Sequence, residues 1–186
     1  ELSFNNLTYF PDFRAVQTSL VKLILSGNPL VEIDCVYFEG LRISELVLDS
    51  TGFWNFSCLQ HIKSSLTKLN LDDCGISDFG DYFQGFSLVE LRLDNNPGLT
   101  QLSANAFSGT SIQKLFMSNS GFTSMPDLRD LHASLYELYM NNLVKLTVPT
   151  GYFDSNLFGQ VGLSLIKLEM NNNSMTEIPL LLDSKN

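Results

Sequence analysis

Histidine, cysteine and tryptophan are all scarce in this chain: two, three and one among 186 residues. His61 and His132 stand 71 positions apart, so a histidine-rich metal site or a His-centred triad has little to be built from. No window approaches 18 consecutive apolar residues, which argues against a membrane-spanning helix, and no basic-then-apolar leader opens the sequence. Basic residues are few: Lys and Arg number 11 against 20 Asp and Glu, a net charge of −9. That balance argues against nucleic acid or an anionic membrane face as partner. There is no phosphate-cradling loop and no thiol–imidazole pair close in sequence, so no enzyme is expected, and neither cofactor nor metal is implied. What is present is apolar: 44% hydrophobic residues with only 17% charged is the composition of a folded chain with a sizeable core.

The apolar residues are arranged in a repeat. The pattern apolar-x-x-apolar-x-apolar reads LVKLIL from Leu20, ISELVL from Ile43, LTKLNL from Leu66 and LVELRL from Leu88. It continues as IQKLFM from Ile112, LYELYM from Leu135 and LIKLEM from Leu165. Taking the sixth position as a phase mark gives Leu2, Leu25, Leu48, Leu71, Leu93, Met117, Met140 and Met170, with steps of 23, 23, 23, 22, 24, 23 and 30. The ninth position, three residues after the mark, reads Asn5, Asn28, Thr51, Cys74, Asn96, Ser120, Leu143 and Asn173. Several repeats add Phe-x-Gly in their far half, at Phe38, Phe83 and Phe107.

This pattern resembles the leucine-rich repeat family, in the form with 23 to 24 residues per repeat common in animal extracellular proteins. Leu143 at the polar position and the extra residues around Ser155 to Gly162 depart from it. The resemblance implies an α/β solenoid: a horseshoe with a concave parallel β-sheet of about eight short strands and an irregular or short-helical convex side. The alternation within LxL supports the same architecture, since it sends two leucines one way and the residue between them the other. One strand of three or four residues cannot bury its face alone, whereas stacked copies share a continuous core. Phe38, Phe83, Phe107 and Phe153 are expected to stack in a convex-side column. Residues 1–186 read as a single array. Glu1 falls within a motif, and Leu180-Leu181-Leu182-Asp183 follows Pro179 without a cap, so the expectation is an internal piece of a longer array.

The outward positions of the concave sheet are the third, fifth and seventh of each motif. The third column, Lys22, Glu45, Lys68, Glu90, Lys114, Glu137 and Lys167, alternates in sign over seven strands about 4.8 Å apart. It can serve as a cross-strand ion ladder or as a charge-patterned binding surface. The fifth column holds Ile24 and Val47 as one apolar patch, then Asn70 and Arg92, then Phe116 and Tyr139 as an aromatic patch. These are candidate ligand contacts, because aromatic residues are enriched at binding hot spots; ordinary β-packing is the alternative. The seventh column places Asp49, Asp72 and Asp94 side by side, which calls for compensation by Arg92, a cation or a basic partner.

Cys35 and Cys58 both fall ten residues after a phase mark, so they occupy equivalent places on neighbouring coils. That column holds Asp12, Asp81 and Asp127 elsewhere, which places it at the solvent. Equivalent Cα atoms lie roughly 5 Å apart, within disulfide range; two exposed thiols in a reducing cell are the alternative. Cys74 is expected to be a buried free thiol. Asn6, Asn55 and Asn172 head glycosylation triplets, about as many as composition alone would produce. The repeat subtype and the cysteine pair point to an extracellular chain, and the family resemblance implies a recognition module for a protein or glycan ligand, as part of a receptor, adhesion or innate-recognition protein. A self-associating matrix or filament element is the alternative.

Overall fold

The computed structural model describes residues 1–31, 33–148 and 164–175. Its centre is one sheet of seven parallel strands in chain order: β1 (Lys22–Ile24), β2 (Glu45–Val47), β3 (Lys68–Asn70), β4 (Glu90–Arg92), β5 (Lys114–Phe116), β6 (Glu137–Tyr139) and β7 (Lys167–Glu169). The register pairs Leu23, Leu46, Leu69, Leu91, Leu115, Leu138 and Leu168 in one row. Each motif therefore lands on the same position as its neighbour, which is why the step length holds near 23. Where about eight strands were expected, residues 2–4 extend the sheet only by backbone bonds, Leu2 N–H to Ile24 O at 2.9 Å and Phe4 N–H to Ser26 O at 2.8 Å. The coils return through turns and short 3-10 helices at Arg14–Val16, Cys35–Phe38, Phe56–Ile62 and Arg129–Leu131.

The phase-mark residues Leu25, Leu48, Leu71, Leu93, Met117 and Met140 are wholly buried. Behind them lies phenylalanine. Phe38, Phe83 and Phe107 are buried as expected, but their stacking partners come from other columns: Phe10 on Phe38 and Phe79 on Phe83, with ring centroids 4.3 and 4.7 Å apart. Phe153 and the stretch from Ser155 to Gly162 lie outside the described residues. Cys35 and Cys58 are joined, their Cα atoms 4.5 Å apart, and Cys74 is a buried free thiol. The column of Cys35 and Cys58 differs from the solvent-facing expectation. Cys58 is fully buried and Cys35 half-buried, because the short helices Cys35–Phe38 and Phe56–Ile62 pack together there.

Three polar columns follow each strand and hold the coils in register. At the seventh position a side chain accepts the main-chain N–H of its counterpart on the next coil. Asp72 accepts from Asp94 (2.8 Å), Asp94 from Ser118 (2.6 Å), Ser118 from Asn141 (3.1 Å) and Asn141 from Asn171 (2.8 Å). At the eighth, Ser50, Asp73, Asn95, Asn119, Asn142 and Asn172 all take φ between 54° and 60°, as Gly27 does at 65°. Asn, Asp and Gly tolerate that left-handed conformation, which explains their recurrence just after the phase mark. At the ninth, Asn28, Asn96 and Asn173 are buried; Asn28 and Asn96 satisfy main-chain groups of their own and the preceding coil, and Asn173 those of the preceding coil. Leu143 breaks the polar pattern without cost to its amide, which donates to Asn173 at 2.7 Å.

Candidate functional site

The middle of each strand is its core-facing leucine; the concave face is built from the residues on either side of it, and the fifth-column side chain, the last of each strand, stands between its neighbours about 4.8 Å away. On β4 to β7 this spacing produces a continuous stack. The Phe116 and Tyr139 rings lie parallel, 4.3 Å between centroids and 6° between planes. The Arg92 guanidinium covers the other face of Phe116 at 4.4 Å, and the Lys167 ammonium covers Tyr139 at 4.7 Å. A cation over an aromatic face is held by the ring quadrupole and contributes about 0.5–2 kcal/mol, depending on how dry the contact is. The Tyr139 hydroxyl donates to Glu137 at 2.6 Å, and Glu137 also receives Lys114 at 2.7 Å. These contacts, Lys114 first, hold the Glu137 carboxyl below its ordinary value. Hydrogen bonding to Tyr139, then to Glu169, raises Lys167.

Behind the stack, Arg92 is tied to the seventh column. Its Nε donates to Asp72 at 2.8 Å and its Nη2 to Asp94 at 3.3 Å. Arg92 is thus the compensating charge for these neighbouring carboxylates. Burial pushes both carboxyls above their ordinary value, outweighing Arg92 and the amide of Asp94 at Asp72, and the amide of Ser118 at Asp94. Burial is the largest single influence on Arg92 and opposes its charge, but the bond to Asp72 together with the charges of Asp72, Asp94 and Glu90 outweighs it and keeps the pKa raised. Asp49 makes no bond to Arg92 but adds its charge to those that raise Asp72, and it accepts the Ser26 hydroxyl at 2.6 Å.

Two expectations about this face need correction. The third column is in register, yet it is no continuous ladder: Lys22–Glu45 (2.6 Å) and Lys114–Glu137 (2.7 Å) pair across strands, while Lys167 turns to Glu169 on its own strand (2.9 Å). Among the described residues, Lys68 and Glu90 make no ion pair within 4 Å. Neither is the fifth column open: Ile24, Val47, Asn70, Phe116 and Tyr139 are half-buried, because each is covered on both sides by its strand neighbours. Ile24 and Val47 are register partners on β1 and β2, away from the aromatic pair. The sequence reading missed two things. Lys167 belongs to the stack although it sits in another column, and the seventh-column carboxylates cap the next coil's backbone.

Of the glycosylation triplets, Asn6 and Asn172 are exposed. The Asn172 amide donates to Asn142 at 3.0 Å. Asn55 is half-buried beside the disulfide; its Nδ2 points to Cys35 Sγ at 3.8 Å and its Oδ1 accepts the Ser57 hydroxyl at 2.6 Å. No helix among the described residues is long and apolar enough to cross a membrane.

The chain matches no family profile. It is 28% identical over 155 residues to the thyrotropin receptor of Sus scrofa, covering 71% of this chain and 20% of the receptor. It is 30% identical over 198 residues to the transforming growth factor beta activator LRRC33 of Danio rerio, covering 96% of this chain and 27% of that protein. It is 32% identical over 132 residues to Tsukushi of Gallus gallus, covering 67% and 28%. The chain therefore spans between 20% and 28% of the length of these relatives. With seven motifs in one parallel register and these three relatives, the chain belongs to the leucine-rich repeat family.

Proposed function

We propose that this chain is an extracellular recognition module that binds a protein ligand on its concave face, with Phe116 and Tyr139 as anchor. The single observation that carries the reading is the Arg92–Phe116–Tyr139–Lys167 stack. An aromatic pair held rigid before binding loses little side-chain freedom when a partner docks, and its centre lies within a rim of charged groups. The flanking pairs Arg92–Asp72 and Lys114–Glu137 fix the rim charges in place. Asn70, Val47, Ile24, Asp49, Asp72 and Asp94 extend the contact surface toward β1. The names of two relatives, a receptor and a growth-factor activator, support a recognition role of this kind. The disulfide supports an oxidising compartment. The array is read as part of a longer protein.

The test is capture of cell-surface and secreted proteins on the full-length protein, wild type against Phe116→Ala/Tyr139→Ala. Partners retained by wild type and lost by the double variant at equal folded concentration support the reading. An unchanged set of partners at unchanged affinity sinks it and moves the site to the edges or the convex side. Concentration-dependent self-association lost in the same variant would favour the matrix alternative.

A further inference from the structure

Away from the concave face, the flank leaving the sheet carries an apolar strip that the core does not use. Tyr9, Val31 and Trp54, from three successive coils, are 61%, 63% and 69% exposed. Trp54 is the only tryptophan of the chain. These three line an open groove of about 770 Å³, together with Tyr37, Asp34 and Asn55. The strip is unusual among soluble surfaces, where contiguous apolar patches mark something that covers them. The groove also contains its own attachment point. Asn55 heads the triplet Asn55-Phe56-Ser57, and its side-chain oxygen accepts the Ser57 hydroxyl. Asn6 and Asn172 do not line this groove.

We infer that Asn55 carries an N-linked glycan whose first sugars lie along this groove, over Trp54, Tyr9 and Val31. The inference rests on the extracellular reading above, because the modification requires the secretory route. In the step, Asn55 Nδ2 attacks the anomeric carbon of an oligosaccharide carried on a polyprenyl pyrophosphate. The C–N bond forms, the anomeric C–O bond breaks, the pyrophosphate leaves with the electron pair, and the amide gives up one proton. Asn55 Nδ2 lies 3.8 Å from Cys35 Sγ, so carrying the sugar requires the half-buried side chain to turn its nitrogen from the disulfide toward the groove that it lines. Once attached, the apolar C–H faces of the sugars meet aromatic faces already exposed, and the hydroxyl edges face Asp34 and water. The chain is tethered, so this packing does not require the loss of translational freedom that a free saccharide would incur.

The full-length protein, secreted from animal cells, tests this by peptide mass spectrometry with hydroxyl-radical labelling. Expected are a glycan on the Asn55 peptide in most molecules, and at least a twofold rise in Trp54 oxidation when an N-glycan amidase strips the folded protein. Oxidation of Tyr136, 40% exposed and far in sequence from any acceptor triplet, serves as the internal reference. A Ser57→Ala variant, which lacks the acceptor triplet but keeps Asn55, should show the same high Trp54 oxidation without enzyme. A bare Asn55 beside an occupied Asn6 or Asn172 overturns the inference and leaves the extracellular reading standing; three bare sites overturn both. A glycan at Asn55 with unchanged Trp54 oxidation overturns the groove contact.

Discussion

The ninth column and the fifth column each contribute one side chain per coil, and they behave in opposite ways. Ninth-column residues, Leu143 excepted, are small hydrogen-bonding side chains because every coil presents the same problem: main-chain groups turning out of the strand, buried and in need of partners. Asn28, Asn96 and Asn173 solve it with the same contacts, amide to carbonyl and carbonyl to amide, across two coils. The fifth column has no such constraint. Ile24, Val47, Asn70, Arg92, Phe116, Tyr139 and Glu169 follow no rule of type, and its one organised region arises from contacts between particular neighbours. A column that repeats is scaffold; a column that varies carries what distinguishes this array from another.

The largest break in that comparison is predicted at Asn96. Its Oδ1 accepts from Cys74 and Ile76 N–H at 3.1 and 3.0 Å, and its Nδ2 donates to the Leu71 and Leu93 carbonyls at 3.0 and 2.9 Å. Asn96→Ala leaves these groups buried without partners, at a cost of about 3 kcal/mol or more. Urea denaturation should show it, while ligand affinity per folded molecule stays unchanged. A loss under about 1 kcal/mol would mean that the column is not the clamp it appears in the hydrogen bonds.

Tyr139→Ala should give the converse result. Binding of the concave-face ligand falls by about 2 kcal/mol. Stability falls by about 1 kcal/mol from the lost stack, because the ring is half-buried between Phe116 and Lys167. Titration calorimetry and denaturation on one protein preparation separate the two. Equal binding by variant and wild type would reduce the stack to strand packing.

The same contrast determines what could be read from sequence. Strand positions, register, the ninth column and the Cys35–Cys58 proximity are visible because a fixed step carries each residue to an equivalent place. Pairings within a column are not, since they depend on side-chain reach. Lys68 and Lys167 occupy the same column as Lys114, yet Lys114 pairs across strands, Lys167 turns to Glu169, and Lys68 makes no ion pair among the described residues. The left-handed eighth column was legible in principle from its Asn, Asp and Gly content. The half-buried state of Phe116 was not, because Arg92 has to fold over it first.

A smaller effect sharpens the scaffold side. Ser120 occupies the ninth column, but its Oγ is buried with no hydrogen-bond partner among the described residues. It is too short to bridge two coils as Asn96 does. Ser120→Ala removes a hydroxyl that lost water and gained nothing, and should raise stability by up to about 1 kcal/mol. A fall in the urea midpoint would show that the hydroxyl has a partner in solution.

The smallest expected effect tests which force governs the junction of scaffold and binding face. At Asp72 and Asp94 burial raises the carboxyl pKa, while Arg92 and the amides of Asp94 and Ser118 pull the other way. A carboxyl whose folded value lies above its unfolded one opposes folding while ionised. That opposition is complete above the folded value and vanishes below the unfolded one, so acidification relieves it. The carboxylates of exposed Asp12, held at about 2, and of half-buried Glu137 and Glu169, also held down, act in the opposite direction and lose their contribution as pH falls. They are common to wild type and an Asp72→Asn/Asp94→Asn variant, so they cancel in the difference between the two. The variant keeps an oxygen for each main-chain N–H and removes both the carboxylate charges that face Arg92 and their titration. From pH 7 toward the ordinary Asp value of 3.8, wild type should therefore gain stability relative to the variant, read as converging or crossing urea midpoints. If wild type instead loses ground on acidification, Arg92 outweighs burial. The junction would then be an ion pair that holds the aromatic stack in place, rather than two desolvated carboxylates that Arg92 only partly offsets.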